Sequence, residues 1–197
     1  MRMHGLINRA IERFVRDTYG RDAWGAVTRA AGLDFTRFEA MLDYEAEVTD
    51  RVLEAVADQL ERPLPDILED VGTYLVSHPK VEPFRRLLRF GGPTFVEFLH
   101  SLDDLPARAA LAVSDLQLPE LELREYAENF YAIDCHSGVP GFGYVIVGLL
   151  RALADDYGAL VLLEHKGLRD GCEVIEVRLL SAEHATGRRF ELGARTG

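Results

Sequence analysis

Basic residues are scarce in this 197-residue chain: 22 Lys and Arg stand against 33 Asp and Glu, for a formal net charge of −11 at pH 7. Nucleic acid and anionic membranes are recognised through clustered cations, so binding to either is not expected. One small basic patch, Arg85, Arg86 and Arg89, is the exception. Cysteine is scarcer still, and Cys135 and Cys172 make no disulfide framework. Long apolar runs are missing: no stretch of about 18 apolar residues is present to span a bilayer, and no charged-then-apolar leader opens the chain. Internal repeats and low-complexity linkers are also absent. These absences lead to the expectation of a soluble, cytoplasmic protein with no membrane insertion.

What is present suffices for a core. Hydrophobic residues make up 48% of the chain, and its length fits one domain, or one domain in two lobes. Leu6, Ile7, Ala10, Ile11, Phe14 and Val15 recur at helical spacing over residues 3–19, with Gly20 as the stop. A second helix is expected from Asp22, carrying Trp24 and Val27 and ending at Gly32, and a third around Phe38 and Leu42, capped by Asp34 or Thr36. Thr49 is the expected N-cap for a helix bearing Val52, Leu53, Val56 and Leu60. Pro65 suits the first turn of the next helix, which Pro79 closes.

Further on, a helix is expected over residues 94–105 and another from Tyr144 to Tyr157, with strands at Leu121–Glu125, Phe130–His136, Ala159–His165 and Cys172–Leu180. Helices first and sheet later predict an α+β fold. The division expected is a helical N-terminal lobe over residues 3–62 and, over residues 63–190, a C-terminal lobe with helices and a four-stranded antiparallel sheet.

Several ordered motifs carry a resemblance. Met3-His4-Gly5 precedes the first helix, and Tyr19-Gly20-x-x-x-Trp24 follows it. Leu68-Glu69-Asp70-Val71-Gly72, the stretch Leu87 to Gly92, Pro119, and Pro140-Gly141-Phe142 leading into Val145-Ile146-Val147-Gly148 come next in the same order. Together they resemble the haem nitric-oxide/oxygen-binding (H-NOX) family, the sensor domain of soluble guanylate cyclase and its bacterial relatives. The resemblance implies an H-NOX-like fold, haem b as cofactor, and gas sensing passed to a histidine kinase, a diguanylate cyclase or a fused cyclase.

Two departures set this chain apart from that pattern. The family's iron ligand is a His ending F-L-x-x-L-D-x-[LIV]-H; the matching segment here is Phe98-Leu99-His100-Ser101-Leu102-Asp103-Asp104-Leu105-Pro106. Pro106 has no lone pair for a metal, and it breaks a helix by lacking an N–H and clashing with the preceding turn. The family's Y-x-S-x-R motif, which holds the haem propionates, becomes Cys135-His136-Ser137-Gly138-Val139, in which only Ser137 matches. Any haem is therefore held atypically.

His100 is the candidate substitute ligand. It precedes Pro106 by six residues, about 120° away around a helix, so it needs the Pro106 break to re-aim it or the haem to shift; otherwise it is a packed or surface residue. Asp104 is placed to cap a new helix with Pro106 in its first turn. Cys135 and His136 invite a metal or redox reading, but neighbouring strand residues point to opposite faces. Pro119 matches the proline that presses on haem in relatives, and Val145 a distal position, where it donates no hydrogen bond; if haem is present, nitric oxide or carbon monoxide is favoured over oxygen. Phe14, Phe84, Phe90 and Phe98 are available to fill the pocket, since a dry void costs stability; the alternative is a cavity that persists for another apolar ligand. No catalytic constellation of acids, bases or nucleophiles is evident, so an enzyme is not expected.

Overall fold

The first strand, β1 (Arg2–His4), pairs antiparallel with β2 (Asp43–Glu45), a short ribbon with no counterpart in the sequence expectations. The computed structural model describes residues 2–112, 118–137 and 139–188. Helix α1 (Gly5–Thr18) starts where the His4 side chain accepts the Leu6 N–H at 3.2 Å. After α2 (Arg21–Ala30), the helix expected around Phe38 and Leu42 does not form. Other groups have claimed its backbone. The Phe38 N–H donates to Glu12 at 2.9 Å, the Phe38 carbonyl accepts from Arg9, and the Thr36 carbonyl accepts the Trp24 indole N–H at 2.8 Å. Helix α3 (Ala46–Leu60) begins before Thr49, which is therefore no cap; its hydroxyl donates instead to buried Asn8 at 2.8 Å.

Helix α4 (Leu64–Ser77) carries Pro65 in its first turn as expected, and α5 (Glu82–Arg89) follows a short 3-10 turn. A capping box between Thr94 and Glu97 starts α6 (Phe95–His100). The helix expected over residues 94–105 stops early. A 3-10 turn, Leu102–Asp104, intervenes, and α7 (Leu105–Ala112) begins with Pro106 in its first turn. In an unbroken helix Pro106 would leave the Leu102 carbonyl without a donor and press its ring against it.

The sheet has the order β3-β4-β6-β5, antiparallel throughout: β3 (Glu120–Ala127), β4 (Phe130–His136), β5 (Leu160–Arg169) and β6 (Cys172–Ser181). The β5–β6 loop is tighter than expected, because Asp170-Gly171, both at positive φ, close a two-residue hairpin. Helix α8 (Phe142–Tyr157) packs on the sheet. Among the described residues no helix is long and apolar enough to cross a membrane.

Among the described residues two large hydrophobic cores result, beside a small cluster of Ala132, Cys172 and Val174. One gathers Phe14, Val15, Val27, Phe38, Val52 and Ile67; the other gathers Leu88, Phe98, Leu99, Ile133, Leu150 and Ile175. Helices α4 and α8 cross between them at backbone contact. A Cβ at Gly148 would lie 1.8 Å from the Glu69 carbonyl oxygen, and one at Gly72 would lie 2.0 Å from that of Val145. Buried Arg85 ties α5 to the end of α8 through Asp156 at 2.6 Å.

In an open helix Gly→Ala stabilises by about 1 kcal/mol. At Gly148 the crowding reverses the sign: Gly148→Ala is expected to destabilise by about 1–3 kcal/mol or more, read as a lowered urea midpoint. An unchanged or raised midpoint would show that the crossing tolerates a methyl group.

Candidate functional site

Between the two cores lies an apolar cavity of about 630 Å³, within the roughly 300–1,000 Å³ range of small-molecule sites. Helix α1 contributes Leu6, Ile7, Ala10 and Ile11, which share one face by their spacing. Helix α4 adds Leu68, Val71, Tyr74 and Leu75, and α8 adds Phe142, Val145, Ile146 and Leu149. Phe84 and Phe90 line it from the side of α5, and Leu105 and Ala109 line it from α7. Phe14 and Phe98 are instead spent in the two cores, so aromatic side chains do not fill the space. The charged residues bordering it are Arg9, Arg13 and Arg86, with no carboxylate among the described lining residues.

The structure brings two of the expected site residues together here: Pro119 and Val145 both face the cavity. His100 does not. Helix α6 turns Phe95, Phe98 and Leu99 inward, which leaves His100 half exposed on the far side, 4.0 Å from Glu125 and edge-on to Tyr131. The 3-10 turn after it re-aims α7 and leaves His100 where it is. Pro106 is flanked by the cavity residues Leu105 and Ala109 without lining the cavity itself. Val139, at the position of the family's propionate-binding arginine, is part of the wall.

Cys135 and His136 point to opposite faces of β4, as their adjacency requires. Cys135 is buried in the core, where burial, with Glu173 and Cys172 adding to it, pushes its pKa up to about 12. His136 is half exposed near Glu122. The Ser137 hydroxyl accepts the Val139 N–H at 3.0 Å, a local turn bond. No group of three His, Cys, Asp or Glu that could hold a metal occurs among the described residues.

Haem iron is held in proteins by His, Cys, Met or Tyr side chains. Among the described residues the cavity presents no imidazole, thiol or thioether. Its one phenol, Tyr74, donates its hydroxyl to Asp17 at 2.7 Å, and burial, reinforced by Asp17, pushes its pKa well above the ordinary value, against a ligating phenolate. The residues present do not fit axial ligation of iron.

Two clusters were not legible as sites in the sequence. In one, Glu173 on β6 accepts the N–H groups of Gly141 and Gly143 at 2.8 and 3.1 Å, pinning the start of α8. His165 joins at 2.8 Å; its Nδ1 accepts the Gly167 N–H, so Nε2 carries the proton toward Glu173. Tyr144 stacks on the His165 ring. In the other, Arg9, Arg13, Arg16, Arg21, Arg37 and Lys80 surround Glu12 and Asp17 in a recess of about 450 Å³ that shares Arg9 and Arg13 with the apolar cavity. The spacing of Arg9, Arg13 and Arg16 was the available signal. The expected patch at Arg85, Arg86 and Arg89 is not a surface patch: Arg85 is buried against Asp156, and Arg89 lies over the Tyr157 ring at 3.7 Å.

The haem-NO-binding family model matches residues 4–165. The chain is 22% identical over 154 residues to the soluble guanylate cyclase gcy-31 of Caenorhabditis elegans, a match covering 78% of this chain and 22% of that protein. It is 28% identical over 91 residues to the guanylate cyclase soluble subunit beta-2 of Rattus norvegicus, covering 46% of this chain and 13% of that one. The match thus spans less than a quarter of either relative. Among solved structures, a triple mutant of an H-NOX protein from S. oneidensis in the Fe(II) ligation state superposes with a TM-score of 0.78 at 16% identity, covering 92% of this chain and 98% of that one. An unliganded Fe(II) H-NOX protein mutant from K. algicida does so with a TM-score of 0.78 at 14% identity, covering 91% and 97%. At these identities the likeness is one of fold.

With both thiols buried and their pKa values raised, little reactive thiolate exists at neutral pH. Neither cysteine is expected to react with Ellman's reagent at pH 8 until denaturant is added. Rapid modification of Cys135 in the folded protein would restore its redox reading.

Proposed function

The chain belongs to the haem-NO-binding family, and from that premise we propose that it is a sensory and regulatory domain that has lost conventional haem ligation and acts through a separate signalling protein. One observation carries the reading: Pro106 stands where relatives place the iron ligand, and the described cavity wall offers no replacement. His100 is turned away, so the alternative of a nitric-oxide sensor ligated through that residue lacks support from its position. The lobes of residues 3–62 and 63–190 work as one domain around the cavity. The partner is a histidine kinase, a diguanylate cyclase or, by analogy with the relatives named above, a guanylate cyclase. A cytoplasmic location follows from such a role.

Haemin titration of the purified protein tests this. The expected spectrum has no sharp stoichiometric Soret band and does not change when nitric oxide is added. A one-to-one Soret band that shifts with nitric oxide would overturn the reading, and its loss in His100→Ala would establish the atypical sensor instead.

A further inference from the structure

A cavity that cannot bind through a metal–ligand bond must hold its occupant by apolar contact and charge, and here the charge has one sign. Arg9, Arg13 and Arg86 border an otherwise apolar wall with no acidic side chain among its described residues. Arg9 and Arg13, one helical turn apart on α1, also line the neighbouring recess, where six cations face two carboxylates. Those carboxylates are already engaged: Glu12 with Arg9 and Arg16 at 3.2 and 2.7 Å, and Asp17 with Lys80 and the Tyr74 hydroxyl. Among the described residues no carboxylate lies within ion-pair distance of Arg13, Arg21 or Arg37. Of the three arginines bordering the cavity, Arg9 pairs with Glu12 and Arg86 lies 4.0 Å from Glu82. Exposed Arg13, which the recess joins to Arg21 and Arg37, is therefore the guanidinium at the cavity mouth set for an anion attached to an apolar body, in a chain of net charge −11. Guanidinium groups pair with carboxylates through two parallel hydrogen bonds.

From this juxtaposition we infer that the cavity binds a long-chain aliphatic carboxylate, its chain among the side chains of α1, α4 and α8 and its carboxylate at Arg13 beside the cationic recess. The inference rests on the reading of the cavity as a sensory site without iron ligation, and it supplies the class of ligand sensed. A neutral lipid would leave the Arg13 guanidinium uncompensated. A free inorganic anion would leave the apolar wall bare.

The test is displacement of a fluorescent polyene fatty acid, cis-parinaric acid, from the full chain by palmitic acid, hexadecanol, protoporphyrin IX and inorganic phosphate. The expected result is one-to-one binding, with palmitate displacing the probe at least tenfold better than hexadecanol and phosphate not displacing it. Arg13→Glu, an exposed position whose change leaves both cores untouched, is expected to weaken palmitate at least tenfold, whereas Arg169→Glu on the distant β5–β6 hairpin leaves it unchanged. Ala10→Phe, which fills the cavity from α1, is expected to abolish binding with thermal unfolding still cooperative. Equal displacement by palmitate and hexadecanol, an unaffected Arg13→Glu, or absence of stoichiometric probe binding overturns the inference. Preference for protoporphyrin IX over palmitate overturns the ligand class. An iron-ligated Soret band with haemin would instead bring down the function proposed above, so the two failures are told apart.

Discussion

Helices α4 and α8 meet with no side chain between them at two points, Gly72 on one and Gly148 on the other, and much of the architecture follows from that closeness. Close-packed interiors do not deform gradually, so the crossing fixes how the helical lobe sits against the sheet lobe. Val145, one helical turn before Gly148, reaches the N-terminal core, while Leu149 and Leu150, just after it, reach the C-terminal one. The apolar cavity opens beside this junction and draws walls from both lobes. Any occupant therefore touches the element that joins them.

Three buried carboxylates organise the chain around this junction. Glu12 holds the irregular stretch before β2 by accepting the Phe38 N–H; Asp156 fastens α5 to α8 through Arg85; Glu173 secures the turn into α8. Glu12 and Glu173 each meet several donors and Asp156 meets a buried guanidinium, the pairing under which a buried charge is tolerated. The acidity of the chain is thus partly structural, and it is unevenly spread, since the cations of α1 and its surroundings gather on one side of the cavity.

Local rules made much of this visible in the sequence. The strand expected over Phe130–His136 matched β4 residue for residue, and the spacing of Leu6 to Val15 gave α1 to within two residues at either end. The family's motifs were legible because they are contiguous, and the departure from the family's ligand pattern was legible because it falls on a single position, Pro106. What escaped depends on distance. The stretch around Phe38 has helix-forming spacing but loses its backbone groups to Glu12, Arg9 and Trp24. The cationic recess needs Arg21, Arg37 and Lys80 to be brought to α1 by the fold, and His165 meets Glu173 only through the hairpin register of β5 and β6. His100 failed as a pocket residue for a geometric reason: the break at Leu102–Asp104 turns the chain after it, not before it.

That same break has a mechanical consequence. A continuous helix carries a push along its axis as a rod does, because each turn is bonded to the next. Here α6 is seated in the sheet-lobe core and latched at its start by Thr94 and Glu97, whereas α7 borders the cavity through Leu105 and Ala109. The 3-10 turn between them interrupts that ladder of bonds, so a push along α7 has no continuous helix through which to reach α6. Helix α8 offers an unbroken path instead: its start lines the cavity and is pinned to the sheet by Glu173, and its far end is tied to α5 through Asp156 and Arg85.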